Sequence, residues 1–568
     1  MKRFFYALMI VALAVVTSCG NKGGNAPALT VNFTISANPG TVGEELTFTA
    51  EVTGGVAPYT YAWKVGEDVT LNGSPAAWTP EENGNFVVAL TVTDANGTVA
   101  NRSKNLAVQA AAIVATGEVN LIWNCQLEGY TSITTPAIAD DGNIYTATRD
   151  KNHFYKISPA GEIVWTKELV AAGGGNIFGT PSIDTDGTIY MAGGATGGGA
   201  VLVAYKPDGT EKWRFTDFWN KGNAHSAKIE GGSVAGIGEN NVYIGNTGST
   251  GSVLSVSKAD GTRVNHIQGA DGGGPAGGLR GGVVVSKNGY IGWCGGAYGV
   301  FTAQTAGGID ETGDAGVMWA NRACHSAASG WSMGNNQATL AAMTCNGHEL
   351  LLGMQAIKDN STSAYIYTKV YGVDFITGEE VVNCKIDEDL VADEKNCAAQ
   401  DQGGISVTAD GLIIVTLKYR VGEENGGIAL VDPAQNKMVA HFGIAENVTS
   451  AAAVDQAGNI HFGTEAGNYY VVKYLGNGQF ETLVKKDIAE LVKADERYAA
   501  TYTGTEVVKI WSGIVIGDDG KIYIQYTDND NRALGGLACI TVDYTSGPST
   551  TSPWPMMGQN RKHTNVQK

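Results

Sequence analysis

Thr135-Pro136-Ala137-Ile138-Ala139-Asp140-Asp141-Gly142-Asn143-Ile144-Tyr145 decides the fold, because its pattern returns along the chain. The clearest copy runs from Thr180-Pro181-Ser182-Ile183 to Asp186-Gly187-Thr188-Ile189-Tyr190. Weaker copies turn at Asn240-Asn241, Asn288-Gly289, Asn346-Gly347, Asp410-Gly411, Ala457-Gly458 and Asp519-Gly520, so the eight turns are spaced by 45 to 64 residues. Each copy has an apolar strand, a tight turn and a second strand rich in β-branched and aromatic residues. A unit repeated at this period is typical of a propeller blade.

Each turn predicts a hairpin. Asn-Gly and Asp-Gly pairs favour type I′ turns, because both central residues adopt positive φ at low steric cost. A third strand follows each hairpin, as at 201–205, and an outer strand follows several of these, as at 209–213. The last unit has no fourth strand, whereas a strand at 118–126 precedes the first unit. We therefore predict an all-β chain in which residues 117–568 form an eight-bladed propeller closed by strand 118–126, which removes two exposed strand edges.

The N-terminus has the features of an export signal. A basic start at Met1-Lys2-Arg3 precedes an apolar stretch from Phe4 to Val16, and small residues lead to Cys19. The stretch is short for a membrane span. Val16-Thr17-Ser18-Cys19 resembles the lipobox of bacterial lipoproteins. This resemblance implies a signal peptide at 1–18, lipidation of Cys19 and a tether over 19–28. Gly20, where an Asp would favour retention in the inner membrane, favours the outer membrane. Whether the protein faces the periplasm or the cell surface stays open.

Composition excludes two classes of partner. The chain has 78 glycines in 568 residues, which suits a fold made of turns and closely crossing strands. Its formal net charge is −18, and removal of Lys2 and Arg3 with the signal peptide makes it more negative still. Such a chain repels nucleic acid and anionic phospholipid. We expect a glycan or an envelope protein as partner, with membrane contact only through the lipid on Cys19.

Residues 29–110 form a separate module. Several segments alternate apolar and polar residues, as half-buried sandwich strands do, and Trp63 lies centrally among them. Pro58-Tyr59-Thr60-Tyr61-Ala62-Trp63 and Leu90-Thr91-Val92-Thr93-Asp94-Ala95-Asn96-Gly97 resemble the two best-known stretches of the PKD (polycystic kidney disease) repeat, an Ig-like fold. The chain departs from that family after Trp63, where it reads Lys64-Val65-Gly66-Glu67-Asp68. The resemblance implies a spacer, or a weak glycan or protein contact.

The propeller repeats resemble the pyrroloquinoline-quinone (PQQ)-like family. The resemblance rests on Thr-Pro-x-Ile-x-x-Asp-Gly-x-Ile-Tyr in the first two units, on Gly-x-x-x-Trp ends at Trp165 and Trp213, and on a Trp-x-x-x-Gly docking motif at Trp554. Members include quinone-dependent dehydrogenases, a lipoprotein that assists outer-membrane barrel assembly, and lipid-anchored proteins of Bacteroidota that pair a sandwich with a propeller. The dehydrogenases use adjacent cysteines, which this chain lacks. We therefore expect no PQQ, and the domain order resembles the third group.

Segments that precede the innermost strands supply a candidate binding funnel, since they meet at one end of the central channel. Aromatic faces with amide and guanidinium donors suit a sugar or a peptide. The candidate residues are Phe178, Trp219, His225, Arg280, His325, Trp331, Asn335, Gln337, Gln402 and Trp511. The alternatives are that Trp219, Trp331 and Trp511 fill gaps between blades, and that each histidine braces its own loop.

Catalytic and metal motifs are scarce. The eight histidines are scattered singly, without His-Glu-x-x-His or Gly-x-Ser-x-Gly. Asp184-Thr185-Asp186-Gly187 and Asp528-Asn529-Asp530-Asn531 alternate oxygen ligands as calcium loops do, but neither has a suitable bidentate Glu. Turn chemistry explains the first loop, and a structural calcium ion at the second stays an alternative. Pairing is left open among Cys125, Cys294, Cys324, Cys345, Cys384, Cys397 and Cys539. The pairs nearest in sequence are Cys324 with Cys345 and Cys384 with Cys397.

These observations predict a non-enzymatic, lipid-anchored binding or scaffold protein of the cell envelope. The alternative is an enzyme on the same propeller, either a quinone-dependent dehydrogenase or a carbohydrate-cleaving enzyme. A glycosidase needs two carboxylates about 5–10 Å apart. Asp401 is the main acid of the funnel segments.

Overall fold

The computed structural model describes residues 27–41, 43–66, 68–80, 84–109, 117–131, 134–169, 179–194, 199–218, 229, 234–246, 252–268, 282–295, 299–304, 317–321, 331–333, 340–359, 365–386, 404–417, 426–449, 451–493, 495, 508–528, 534–543, 545 and 547–567. The chain divides into two compact units, Met1–Val114 and Ala115–Lys568. Both units consist of β-sheets, antiparallel apart from one two-residue parallel pairing in the first unit, which confirms the predicted all-β class. Cys19 and the signal segment lie outside the described residues.

The first unit is a sandwich of two sheets. Its strands are β1 (Thr30–Ile35), β2 (Gly40–Thr41), β3 (Leu46–Thr53), β4 (Thr60–Val65), β5 (Val69–Asn72), β6 (Ala76–Trp78), β7 (Gly84–Thr93) and β8 (Val99–Gln109). One sheet has the order β1-β3-β6 and the other β2-β8-β7-β4-β5. Trp63 is 2% exposed between the sheets and meets the ring of Phe33 edge-on at 5.1 Å. Its indole N–H donates to the carbonyl of Gly73 at 2.8 Å, so the buried ring keeps its polar group paired.

The second unit begins with β9 (Val119–Glu128) and continues as a series of sheets. Sheet 1 contains β10 (Ala137–Ile138), β11 (Ile144–Ala147), β12 (His153–Ile157) and β13 (Ile163–Glu168), and sheet 2 contains β14 (Ser182–Ile183), β15 (Ile189–Gly193), β16 (Val201–Tyr205) and β17 (Glu211–Phe215). Sheet 3 contains β18 (Gly236–Ile237), β19 (Asn241–Gly245), β20 (Ser252–Ser257) and β21 (Arg263–Gln268). Sheet 4 contains β22 (Val284–Val285), β23 (Tyr290–Gly295), β24 (Gly299–Gln304) and β25 (Val317–Asn321).

Sheets 5 to 8 follow the same plan. Sheet 5 contains β26 (Trp331–Met333), β27 (Ala341–Cys345), β28 (His348–Asp359), β29 (Tyr365–Asp374) and β30 (Glu380–Lys385), and sheet 6 contains β31 (Ile405–Val407), β32 (Ile413–Leu417), β33 (Gly426–Asp432) and β34 (Lys437–Ile444). Sheet 7 contains β35 (Ala453–Val454), β36 (Ile460–Gly463), β37 (Asn468–Gly476) and β38 (Gln479–Asp487). Sheet 8 contains β39 (Val508–Lys509), β40 (Val515–Ile516), β41 (Ile522–Asp528), β42 (Leu534–Val542) and β9. The helix α1 (Ile488–Lys493) follows β38. The described residues thus form eight such sheets.

Neighbouring sheets contact each other around a closed circuit. Thr134 Oγ1 of sheet 1 donates to the carbonyl of Gly179 beside sheet 2, at 3.0 Å. Contacts of this kind continue from sheet to sheet, and Thr131 Oγ1 donates to Tyr526 O of sheet 8 at 2.9 Å. The circuit closes because β9 is the outermost strand of sheet 8, where it pairs with β42 from Glu128 opposite Leu534 to Val119 opposite Val542. The edge of β42 is therefore filled by a strand of the same chain.

The turns between the first two strands of each sheet differ from the predicted type. Only at Asn346-Gly347 do both central residues have positive φ, 50° and 83°, among the described turns. In six of the other described turns the loop is one residue longer, as in sheet 1, where Gly142 N bonds to Ala139 O at 3.0 Å and Ala139 N bonds to Asn143 O at 2.9 Å. This is a type I turn followed by a left-handed glycine. The type I′ prediction is wrong there because the Asp141 carboxylate accepts the Asn143 N–H and stabilises the longer loop.

Tryptophans of three outer strands, Trp123, Trp165 and Trp213, pack against a turn glycine of the next sheet. Trp123 of β9 donates its indole N–H to Pro159 O at 2.9 Å and covers Gly161, in the outer turn of sheet 1. Trp213 of β17 does the same with Lys258 O, at 3.0 Å, and Gly261. A Cβ at Gly161 would lie 2.5 Å from the Trp123 ring, and its φ is +83°. The Gly-x-x-x-Trp spacing in the sequence therefore encodes an inter-sheet contact.

Substitution of Gly161 by Ala tests this contact. Both Gly161→Ala and the control Gly458→Ala impose a left-handed alanine, which costs about 1–2 kcal/mol. Gly458 has a φ of +80° and nothing within 4 Å of an added Cβ, so only Gly161→Ala adds the overlap with Trp123, about 1–3 kcal/mol more. We expect a lower thermal midpoint for Gly161→Ala than for Gly458→Ala in calorimetry. Equal midpoints would contradict the proposed role of the tryptophan contact.

Candidate functional site

The propeller unit has two chemically different ends. The innermost strand of each sheet runs towards the hairpin that joins it to the second strand, and we call this the hairpin end. The opposite end, where chain segments reach the innermost strands, is the funnel end. Because strands alternate in direction, residues that follow the second and fourth strands of a sheet also lie at the funnel end.

Most residues of the predicted funnel lie outside the part of the chain that the structure describes. Of its ten residues, Phe178, Trp219, His225, Arg280, His325, Asn335, Gln337 and Gln402 lie outside the described residues, as does Asp401. Trp331 begins strand β26, but the placement of its side chain is also outside them. Trp511 is described, and it precedes the innermost strand β40 of sheet 8.

Trp511 lies in a cluster of aromatic and charged side chains at the funnel end. Its half-buried ring meets Tyr130 at 6.5 Å between centroids, in an edge-on arrangement. Lys509 Nζ lies 5.3 Å from the Trp511 centroid, and the guanidinium carbon of Arg149 lies 5.4 Å from that of Tyr130. Glu465 carries an ion pair to Lys509 at 3.5 Å. We call Tyr130, Arg149, Glu465, Lys509 and Trp511 the rim cluster.

Four sheet elements bring the rim cluster together. Tyr130 follows β9, Arg149 follows β11, Glu465 follows β36, and Lys509 ends β39. Tyr130 is held by its backbone, since its N–H donates to Asp150 Oδ1 at 2.8 Å. The sequence predicts Trp511 from its position before an innermost strand, whereas Tyr130, Arg149 and Glu465 follow strands and carry no such signal. Lys509 lies in the same segment as Trp511, but no motif marks it. The position just after the second strand of each repeat is the sequence signal that points to Arg149.

A second group of hydrogen-bonded side chains at the funnel end surrounds Glu446. This residue follows β34, and its carboxylate accepts hydrogen bonds from Thr464 Oγ1 at 2.7 Å and Tyr470 Oη at 2.9 Å. Asn468 Nδ2 and Lys485 Nζ add contacts at 3.0 and 3.2 Å. Burial acts to raise the pKa of Glu446, but these hydrogen bonds outweigh it and hold the pKa below its ordinary value. Glu446 is thus a fixed anion that orients the start of sheet 7.

Other titratable groups serve structure. His461 and Asp455 are 0% exposed, and the imidazole lies between Asp455 Oδ2 at 3.2 Å and Tyr469 Oη at 2.7 Å. Although an Asp-His pair can act as a base, this one is sealed within sheet 7. Burial also raises the pKa of the Cys539 thiol to about 12, which suppresses the reactive thiolate.

The residues weighed as calcium ligands and disulfides have other partners. Asp184 forms an ion pair with Lys258 at 2.6 Å, and Asp186 forms one with Lys212 at 3.8 Å. The loop around Asp528 extends outside the described residues. Among the described residues no group of three or more His, Cys, Asp or Glu side chains is arranged to hold a metal ion. Cys345 and Cys384 form no disulfide with any described residue, and Cys324 and Cys397 lie outside the described residues.

The hairpin end is covered by the C-terminal segment, residues 547–567. A cavity of about 260 Å³ lies between this segment and the hairpin of sheet 8. Arg561 lines this cavity, and its guanidinium contacts Asp518 at 2.7 Å and Asp140 at 2.8 Å. Lys562 and Arg561 hold the pKa of Asp140 below its ordinary value through hydrogen bonds and charge. Trp554, the first residue of the Trp-x-x-x-Gly motif, is fully buried in a cluster with residues of sheets 4 to 6.

One family model matches the N-terminal part of the chain. The family model of the PKD domain matches residues 30–134, which include the sandwich. No curated protein matches the chain. The solved Dos1 propeller shares 9% identity, with 74% of this chain and 95% of that chain covered and a TM-score of 0.45. Virginiamycin B lyase from Staphylococcus aureus shares 10% identity, with 75% of this chain and 100% of that chain covered and a TM-score of 0.37. A quinonprotein alcohol dehydrogenase-like protein from Bacteroides thetaiotaomicron shares 12% identity, with 80% of this chain and 96% of that chain covered and a TM-score of 0.34. The chain is an all-β protein in which a PKD domain precedes a β-propeller.

Acidification should reveal the contribution of Glu446. Its folded pKa lies below the unfolded value, so its stabilisation is complete above pH 4.5 and is lost as the pH falls through the folded pKa. At pH 7 we expect Glu446→Gln to lower the free energy of unfolding by about 1–3 kcal/mol. This difference from the native chain should shrink below pH 4 in thermal unfolding. Glu481→Gln, at an exposed position of β38, is the control. A pH-independent difference would contradict the assignment.

Proposed function

We propose that this chain is a lipid-anchored binding protein of the bacterial cell envelope, and that the funnel end of its propeller binds a glycan. The rim cluster is the observation that supports the proposal. It presents the half-buried indole of Trp511 beside two cations, and the buried ring of Tyr130 supports that indole edge-on. Such surfaces bind sugars by stacking and by hydrogen bonds to hydroxyl groups. The PKD domain would act as a spacer between the lipid anchor and the propeller.

The charge of the rim cluster favours a neutral ligand. Lys509 is paired with Glu465, and Arg149 is next to Asp150, which accepts a hydrogen bond from the backbone of Tyr130. A lysine paired in this way attracts a polyanion weakly, and the net charge of −18 opposes one further. A neutral oligosaccharide meets no such repulsion. The proposal includes no chemical step, because the titratable groups placed at this end are engaged in fixed ion pairs and hydrogen bonds.

Membrane attachment would come from Cys19. The sequence before it carries the lipobox features, and within the described residues no helix is both long and apolar enough to cross a bilayer. We propose the outer membrane as the location, since Gly20 follows the lipidated residue. Acyl chains on one residue would hold the protein at the membrane surface and leave both units in solvent.

Binding should depend on Trp511. We expect the chain from Gly20 onward to retain neutral oligosaccharides in affinity electrophoresis, and to release them unchanged in mass. Trp511→Ala should weaken binding about tenfold, which corresponds to about 1.4 kcal/mol of lost stacking. Trp78→Ala, in the sandwich unit, is the matched control and should leave the affinity unchanged. Equal losses in both variants, or capture of an envelope protein without any glycan binding, would contradict the proposal.

Cell fractionation should show whether Cys19 attaches the protein to the membrane. In the native bacterium, Cys19→Ser should move the protein from the membrane pellet to the soluble periplasmic fraction, because the acylated side chain is lost. Ser18→Ala, which keeps a small residue before the cysteine, should remain in the pellet. Retention of Cys19→Ser in the pellet would show that membrane attachment has another origin.

A further inference from the structure

The C-terminal segment makes a regular set of main-chain hydrogen bonds to the propeller. Its carbonyl groups accept N–H groups from the innermost strands of six sheets. The pairs are Ile138 to Arg561 at 2.7 Å, Ile183 to Lys562 at 2.8 Å, Ile237 to Thr564 at 3.1 Å, Val285 to Asn565 at 2.9 Å, Val407 to Trp554 at 2.8 Å and Val454 to Pro555 at 2.7 Å. Each innermost strand pairs on its other edge with the second strand of its sheet. The segment therefore satisfies donors that would otherwise face the channel unpaired.

Side chains of the segment fill defined places on the same surface. Trp554 is 0% exposed among residues of sheets 4 to 6, and Met557 packs against Val234 and Ala451. Thr135 Oγ1 donates to Met557 Sδ at 3.0 Å. Apolar anchors thus lie between the main-chain contacts, as in peptides that add to a sheet edge.

Charged contacts fix the position of the segment at the seam of the ring. Arg561 reaches Asp140 in the hairpin of sheet 1 and Asp518 in the hairpin of sheet 8, and Lys562 Nζ reaches Asp140 at 2.5 Å. Arg561 also donates to Ile138 O at 2.6 Å. Main-chain pairing gives affinity, whereas the buried tryptophan and the paired arginine give sequence preference.

We infer that the hairpin ends of the innermost strands form a peptide-binding ring, and that the C-terminal segment is its ligand, supplied by the chain itself. The connection from β42 to Gly547 is short, so tethering holds the segment at a high effective concentration. The contacts are those of an inserted peptide, and the ring should accept the same sequence as a separate molecule. This inference concerns the hairpin end and is independent of the proposed glycan site.

Cleavage of the connection tests the inference. A protease recognition sequence in place of Ser546 would allow the segment to be cut from the folded chain. We expect the cut segment to co-elute with the propeller in gel filtration and to exchange with a fluorescent synthetic peptide of residues 547–568. Peptides with Trp554→Ala or Arg561→Ala should bind at least tenfold more weakly by fluorescence polarisation. A Thr551→Ala peptide, altered at an exposed position, is the control and should bind like the native one.

Two results would overturn the inference. One is departure of the cut segment from a propeller that stays folded and does not bind the synthetic peptide. The other is equal binding of a scrambled peptide. Should the cut chain aggregate, the uncut Arg561→Ala chain provides the measurement. Its own segment is weakened, so it should bind the native peptide at least tenfold more tightly than the native chain does, and equal binding would refute the inference.

Discussion

The pairing of β9 with β42 is the constraint on which the propeller depends. It brings together strands from opposite ends of the unit, and Tyr526 Oη donates to Asn124 Oδ1 across 402 residues of sequence. Without β9, sheet 8 would expose the edge of β42 and would lose the contact of Trp123 with the outer turn of sheet 1. Because this pairing is so distant in sequence, its loop-closure entropy is unfavourable, and it should form after the local hairpins.

The same closure explains why the innermost strands can be so short. Several have two residues, such as β10 and β14, and cannot hold a sheet together through their own hydrogen bonds. Their stability comes from three sources: the hydroxyl contacts between sheets, the outer tryptophans that cover turn glycines, and the C-terminal segment that pairs with their free edges. Since that segment follows β42 directly, the strands that close the ring also deliver its cover.

Local sequence predicted the sheets well and their long-range partners poorly. The repeated Asp-Gly pattern located the hairpins, because apolar alternation and turn residues act over a few positions. Turn type was missed because a side-chain hydrogen bond of Asp141 selects the longer loop, which the dipeptide alone does not specify. The role of the C-terminal segment was missed since it has no period of its own and its partners are scattered over six sheets. Trp511 was found from its position before a strand, whereas its neighbour Tyr130 lies 381 residues away in sequence.

The two ends of the propeller are therefore open to change in different degrees. At the hairpin end, three-residue loops are fixed by turn chemistry, and the innermost amides are already paired with the C-terminal segment. At the funnel end, successive sheets are joined by longer segments, such as residues 386–404 between β30 and β31. Insertions in such connections leave the sheets intact and alter the surface that a ligand meets. Sequence changes at the funnel end can therefore be accommodated while the ring and its cover stay the same, and the rim cluster lies at that end.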